Sequence, residues 1–186
     1  AGDSDAVAGP FPDTLAVLES GLLAQFRFHG IGVAAHPDGH PMADRATLAQ
    51  ALSVKREYAR TTATRLWVVT QFTFDAEVVI DWLQGLGNIL EEVPVYIGMA
   101  GPTRVKTLIA YAAMCGVGAS ARMLLRRPGS ARMLGAWKPD DMVRALVQYC
   151  LENPETLLRG IHLFPFGGLR QSAQWIREHS GSFENN

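Results

Sequence analysis

The sequence predicts an α/β protein, and two observations carry that reading. Four short β-branched or aromatic runs are each followed by a loop with Gly, Pro or His and then by a longer helical segment. The second run, Leu66-Trp67-Val68-Val69-Thr70, continuing to Gln71-Phe72, is apolar without alternation, which suits a strand covered on both faces, as in parallel sheets. Repetition of that unit is the pattern of parallel α/β folds. At 186 residues, 48% hydrophobic and 19% charged, the chain is long enough for one sizeable core.

Each element follows from local signals. Asp3 to Pro12 reads as loop, and Asp13 to Leu23 as helix. The run Ile31 to Ala35 is a strand, closed by His36-Pro37-Asp38-Gly39-His40-Pro41, where Pro and Gly forbid helix. From Asp44 to Arg60, Leu48, Leu52, Val54 and Tyr58 recur at helical spacing. Asp75 is the expected N-cap of a helix through Trp82 and Leu83, ending near Gly85 and Gly87. The third run is Val93 to Ile97, leading into a Gly98 to Gly101 loop, with Thr103 capping a helix from Arg104 to Cys115. One or two short helices are expected between Ser120 and Leu134, then a long one from Lys138 to Asn153. The fourth run, Gly160 to Phe164, ends in Pro165-Phe166-Gly167-Gly168 before a helix through Trp175 and Ile176, and Ser180 to Asn186 is a polar, fraying tail.

Composition excludes several functions. Seventeen Lys and Arg against eighteen Asp and Glu leave a net charge of −1, with no general pull toward polyanions. The one basic cluster, Arg122, Arg126, Arg127 and Arg132, lacks interleaved aromatics, so nucleic acid is not an expected partner. Cys115 and Cys150 are far apart and read as reduced thiols. No run approaches the roughly 20 apolar residues needed to cross a bilayer, so no membrane partner and a cytoplasmic location are the simplest expectations. His36 and His40 lack a third ligand, and Pro37 and Pro41 spoil an i, i+4 arrangement, so no metal is expected. No nucleophile elbow, zincin motif or Cys-His arrangement is legible.

The chemistry gathers after the strands. His36 and His40 follow the first run and Gln71 the second. The Gly98 to Gly101 loop follows the third, where free N–H groups would suit a phosphate, and Phe164, Phe166 and a Gly pair close the fourth. Imidazoles, an amide and aromatic faces on one rim suit a planar heteroaromatic ligand. Lys55 and Arg56, on the helix after the histidine loop, lie within reach of a pyrophosphate, although such a pair is commonly a solvated face. Four strand–helix units make half of a (β/α)₈ barrel, whose full length is about 250 residues. A flavodoxin-like open sheet fits the length without a missing part. Both place ligands at the carboxyl ends of the strands.

Three segments carry a family resemblance. Ile31-Gly32-Val33-Ala34-Ala35-His36-Pro37-Asp38-Gly39-His40-Pro41, Val69-Thr70-Gln71-Phe72-Thr73-Phe74-Asp75 and Pro94-Val95-Tyr96-Ile97-Gly98-Met99 resemble, in order and spacing, strand-end motifs of methylenetetrahydrofolate reductase. Ala110-Tyr111-Ala112-Ala113-Met114-Cys115-Gly116 is similar to that family's next helix, and the likeness runs from Ala1 to about Glu178. It implies a TIM-type (β/α)₈ barrel of which this chain supplies the C-terminal four βα units as one partial domain. It also implies a flavin-dependent oxidoreductase passing electrons from NADH or NADPH through FAD to methylenetetrahydrofolate, giving methyltetrahydrofolate.

By the same resemblance Asp3 is the carboxylate beside the flavin, disfavouring negative charge on the reduced ring. His36, His40 and Phe164 contact the flavin, Lys55 lies near the FAD phosphates, and Gln71 bonds the pterin, with Phe166 on the substrate side. Phe164 stands where the family commonly has Tyr, and the last motif lacks the family's polar continuation. The family's general-acid Glu belongs to the first barrel strand, ahead of these motifs. A missing N-terminal half, a partner chain or self-association is therefore expected to complete the barrel, since a half barrel exposes two sheet edges. The alternative is a folate-binding or assembly subunit without catalysis of its own.

Overall fold

The computed structural model describes residues 9–26, 28–115 and 136–180. A short helix α1 (Thr14–Glu19) and a 3-10 turn (Leu22–Gln25) precede β1 (Ile31–Ala35), α2 (Arg45–Thr61), β2 (Leu66–Thr70), α3 (Ala76–Gly85) and β3 (Val95–Ala100). There follow β4 (Thr103–Arg104), α4 (Val105–Met114), β5 (Ala136–Trp137), α5 (Asp140–Glu152), β6 (Leu158–Phe164) and α6 (Leu169–Ser180). Strands β1, β2, β3 and β6 form one parallel sheet in that order, and β4 pairs with β5 as a short antiparallel ribbon. The chain is α/β with a parallel four-stranded sheet, and each new strand is added on the same side. A doubly wound sheet reverses its order at a switch point, and these four strands contain no reversal.

Aspartates start the first three helices. Asp13 accepts from the Ala16 N–H and Asp44 from the Thr47 N–H, each at 2.8 Å, and Asp75 accepts from the Glu77 N–H at 3.0 Å. Each cap stabilises its helix by about 1 kcal/mol. The first helix stops short of Leu23 because Gly21 takes φ +72, and the next four residues wind as a 3-10 turn. Two expectations are corrected in the third unit. The strand runs on through Gly98, Met99 and Ala100, all buried, and Thr103 belongs to β4, so α4 begins at Val105 with Arg104 at its N-cap and no side-chain cap bond. The expected helices between Ser120 and Leu134 lie outside the described residues.

The sheet has two unlike faces. Val33, Val68, Val95, Ile97 and Met99, alternating along their strands, are 3% exposed or less and pack with Leu52 of α2, Val79 of α3, Leu146 of α5 and Trp175 of α6. Burying such a side chain stabilises the fold by about 1.5–3 kcal/mol. The intervening positions form the other face, where Trp67, Val69 and Tyr96 are half-buried and Gly32, Ala34 and His162 are exposed. None of these belongs to the helix-packed cluster. The rings there lie across glycines of the neighbouring strand: a Cβ on Gly32 would meet Trp67 at 2.6 Å, and one on Gly160 would meet Tyr96 at 3.2 Å. A second apolar cluster (Phe72, Phe74, Ala100, Leu108, Ala112 and Trp137) sits at the carboxyl edge, so α4 caps the strand ends while α5 covers the sheet.

Candidate functional site

Parallel register sets where the chemistry lies. Ala35 pairs with Thr70, and the Gln71 N–H donates to the Ala35 carbonyl at 2.7 Å, so His36 and Gln71 leave adjacent strand ends. Ala100 pairs with Phe164, and Gly98 pairs with His162. His36, Gln71 and Phe164 therefore share the carboxyl edge of one sheet.

After β1, the His36 and His40 rings meet edge to face with centroids 5.0 Å apart. The loop closes through a Gly39 N–H bond to the His36 carbonyl at 3.0 Å, with Gly39 at φ +88 where a side chain would be strained. The Met42 N–H donates to His40 Nδ1 at 3.1 Å, so a neutral His40 carries its proton on Nε2 and offers it outward as a donor. Burial holds the His36 pKa below its ordinary value, with His40 and then Lys55 adding to the effect. Lys55 thus acts electrostatically on the same loop. Its own pKa is lowered by burial, while Asp13 works in the opposite direction.

The loop after β2 is held by its own side chains. Gln71 Oε1 accepts from the Phe72 N–H at 3.0 Å, Thr73 Oγ1 from the Asp75 N–H at 3.3 Å, and the Thr73 N–H reaches the Gly98 carbonyl at 3.3 Å. Since only an oxygen can accept from Phe72, the Gln71 amide orientation is fixed and its NH₂ remains the donor for a ligand. The amide both braces the backbone and keeps two donors.

Phe72, 1% exposed, is the hub of an aromatic cluster. Its ring centroid lies 4.7 Å from Phe166, 5.7 Å from Phe74 and 6.0 Å from Phe164. Phe166 takes φ +42, a conformation costing a non-glycine residue about 1–3 kcal/mol, and contacts with Phe72 and with Tyr111 at 4.6 Å hold it there. The Trp137 indole N–H closes the cluster on the Ala100 carbonyl at 3.0 Å.

The phosphate-loop expectation for Gly98 to Gly101 is corrected. The Gly98 N–H is bound by Thr70 Oγ1 at 2.8 Å and the Gly101 N–H by the Phe164 carbonyl at 2.9 Å. These donors are used by the fold. Arg56, named with Lys55 as a phosphate candidate, instead bonds the Asn88 carbonyl at 2.8 Å and pairs with Glu91 at 2.9 Å. Asp3 and the Arg122, Arg126, Arg127 and Arg132 cluster lie outside the described residues.

A cavity of about 680 Å³ opens between α4 and α6, walled by Arg104, Tyr111, Lys138, Gln171, Trp175 and Glu178 among others. Of the rim residues expected from sequence, Phe166 and the pair Gly167 and Gly168 line it. Sequence reasoning passed over this cleft, although Gln171, Gln174, Trp175 and Glu178 stand at the i, i+3, i+4, i+7 spacing of one helix face. Among the described residues no group of three or more His, Cys, Asp or Glu is placed to hold a metal ion, and no helix is long and apolar enough to cross a membrane. No known protein-family profile matches the chain.

Proposed function

We propose that the chain is the C-terminal part of a flavin-dependent oxidoreductase of one-carbon metabolism, resembling methylenetetrahydrofolate reductase and using FAD with NADH or NADPH as donor. The observation that carries the reading is the shared carboxyl edge, where His36 and Gln71 leave the adjacent β1 and β2 and Phe164 ends β6, with β3 between them. Two donors, His40 Nε2–H and the Gln71 NH₂, together with the ring of Phe164 suit a flat, polar-edged ring system, and Lys55 is the cation assigned to an anionic group. FAD, when bound, supplies hydride chemistry; the protein's share is orientation and electrostatics. Gln71 holds the pterin of the folate through its free NH₂, and Phe166 bounds the substrate side. Asp3 is assigned beside the flavin by resemblance alone.

The architecture proposed is the last four βα units of a TIM-type barrel. Sequential strand order and the half-exposed glycine-and-aromatic face support it, because a parallel sheet is normally covered on both sides. Closure of that face and of the β1 and β6 edges falls to a further part of the same polypeptide, a partner chain or a second copy.

Purified protein is to be titrated with FAD while its visible spectrum is followed, and its intact mass recorded. A bound-flavin spectrum that bleaches with NADH or NADPH is expected. Protein that takes up no flavin at any concentration yet binds methyltetrahydrofolate would turn the reading to a folate-binding subunit, and protein that binds neither would end it.

A further inference from the structure

We propose that a notch at the amino end of β2, at the opposite end of the sheet from His36, Gln71 and Phe164, binds a free α-amino acid with an apolar side chain. The site is separate from the one assigned to flavin and folate. A cavity of about 670 Å³ lies there between the end of α2, the start of β2 and the loop before β3, with room for a small molecule.

An interrupted ladder leaves backbone groups open at this notch. In a parallel pair, alternate residues of a strand turn their N–H and C=O to the same neighbour. Val68 faces β3, its N–H bonding the Pro94 carbonyl at 2.9 Å, so Leu66, two residues earlier, faces the same way. The register sets the Leu66 carbonyl opposite Pro94, which has no N–H to give. Among the described residues neither the N–H nor the carbonyl of Leu66 has a hydrogen-bond partner on that side. Leu66 belongs to the cavity wall and so offers one donor and one acceptor from a single residue. That is half of a hydrogen-bonded antiparallel pair, in which two residues exchange both bonds, and the smallest molecule that completes it is an α-amino acid.

The charges of the wall are left in the same proportion. Arg56 pairs with Glu91 at 2.9 Å and Arg60 with Glu57 at 2.6 Å. The other two charged side chains lining the cavity, Arg65 and Glu92, have no ion-pair partner among the described residues. Arg65 directly precedes Leu66, and Glu92 stands in the loop before β3. One guanidinium and one carboxylate remain, the complement of a zwitterion. The ligand carboxylate takes the Leu66 N–H and the Arg65 fork, and its ammonium takes the Leu66 carbonyl and Glu92. A ligand with a single charge would meet a like charge at one side.

Ala59, Leu90 and Val93 supply apolar wall for the ligand's side chain. Both banks of the notch are fixed before a ligand arrives. The Thr64 N–H closes the end of α2 on the Ala59 carbonyl at 2.9 Å, and the Val93 N–H closes the facing loop on the Leu90 carbonyl at 2.9 Å. Arg56 ties α2 to that loop through the Asn88 carbonyl at 2.8 Å. Ala63 and Glu91 turn the two banks at φ +52 and +50, a region that non-glycine residues enter at a cost. A site built in advance loses little entropy when it is filled.

The test follows the Leu66 amide by nuclear magnetic resonance in isotope-labelled protein while L-leucine, L-valine and L-phenylalanine are added, each to about 20 mM. At least one is expected to bind and to move the Leu66 signal. The analogues of that ligand lacking the ammonium or the carboxylate, isocaproate and isoamylamine in the case of leucine, should each bind roughly tenfold or more weakly. Arg65→Gln and Glu92→Gln should each weaken the amino acid roughly 5- to 10-fold. Both side chains are exposed, and unchanged near-ultraviolet dichroism checks that the variants keep the fold. Absence of binding by all three amino acids overturns the site. So does an analogue that binds as well as its parent, an affinity that survives both substitutions, or binding that leaves the Leu66 amide unmoved.

Discussion

His36 and His40 touch edge to face across the loop that ends β1, with centroids 5.0 Å apart and rings inclined at 75°. Burial, then His40, then Lys55 hold His36 below the ordinary histidine value of 6.5. The unfolded chain therefore takes up a proton that the fold resists. Where the unfolded state binds more protons, stability rises with pH. The contribution is present above the ordinary value and is lost as pH falls through the lowered one. Urea midpoints should drop on acidification from neutrality, before the carboxylate range is reached, and His36→Asn should flatten that part of the profile. An identical profile in the variant would contradict the account.

Gln71 gives a sharper test of the site, because its two ends do different work. Oε1 braces the Phe72 N–H at 3.0 Å, and the NH₂ is left for a ligand. Gln71→Glu keeps the acceptor and removes the donors. Its melting temperature should stay within a degree or two of the parent, while on the proposed folate reading the affinity for methyltetrahydrofolate should fall roughly tenfold or more, the worth of a hydrogen bond of about 1.5 kcal/mol. Gln71→Leu should lose both properties. Full folate affinity in Gln71→Glu would remove the amide from the recognition scheme.

Much of this architecture was legible because its signals are local. Asp75 announced its helix two residues ahead of the N–H group it accepts, and the apolar run from Leu66 is a strand that ends at Thr70, short of the Gln71-Phe72 continuation expected. Thr103 misled for the opposite reason: it has the chemistry of a cap, but pairing with Trp137, 34 positions along the sequence, draws it into a ribbon. Gly98 to Gly101 misled similarly. Glycines there looked like a loop, whereas Gly98 serves close packing of Phe164 against β3. The Arg104–Lys138 cleft depends on that same long-range ribbon. The spacing along α6 marks one wall, but no local pattern brings Arg104 and Lys138 together.

Gly98 carries the close packing at the strand ends. A Cβ there would collide with the Thr70 carbonyl oxygen and stand 2.9 Å from the Phe164 ring. Backbone cannot yield as a flexible side chain can, so Gly98→Ala should destabilise by about 1–3 kcal/mol and displace Phe164. Gly85 offers the control. It ends α3 with nothing within 4 Å of an added Cβ, and Gly85→Ala should stabilise by about 0.5–1 kcal/mol. Chemical denaturation of both variants checks the pair, and a neutral Gly98→Ala would mean that the ring is not seated as described.

Ser172 makes an opposite prediction from the same corner. It is 3% exposed, and its Oγ has no hydrogen-bond partner while pressing against Gly101, close to where a Cβ on that glycine would stand. A buried hydroxyl without a partner costs about 1–3 kcal/mol of desolvation, and replacing it by a methyl removes that cost with little change in volume. Ser172→Ala should therefore raise the urea midpoint by the equivalent of about 1 kcal/mol. Gly101→Ala should fail in the parent, since its Cβ would meet the Ser172 side chain, and should be partly rescued in the Ser172→Ala background. Folding free energies of the two single variants and the double variant form a cycle, and strict additivity in that cycle would show that Gly101 and Ser172 do not share the space the structure gives them.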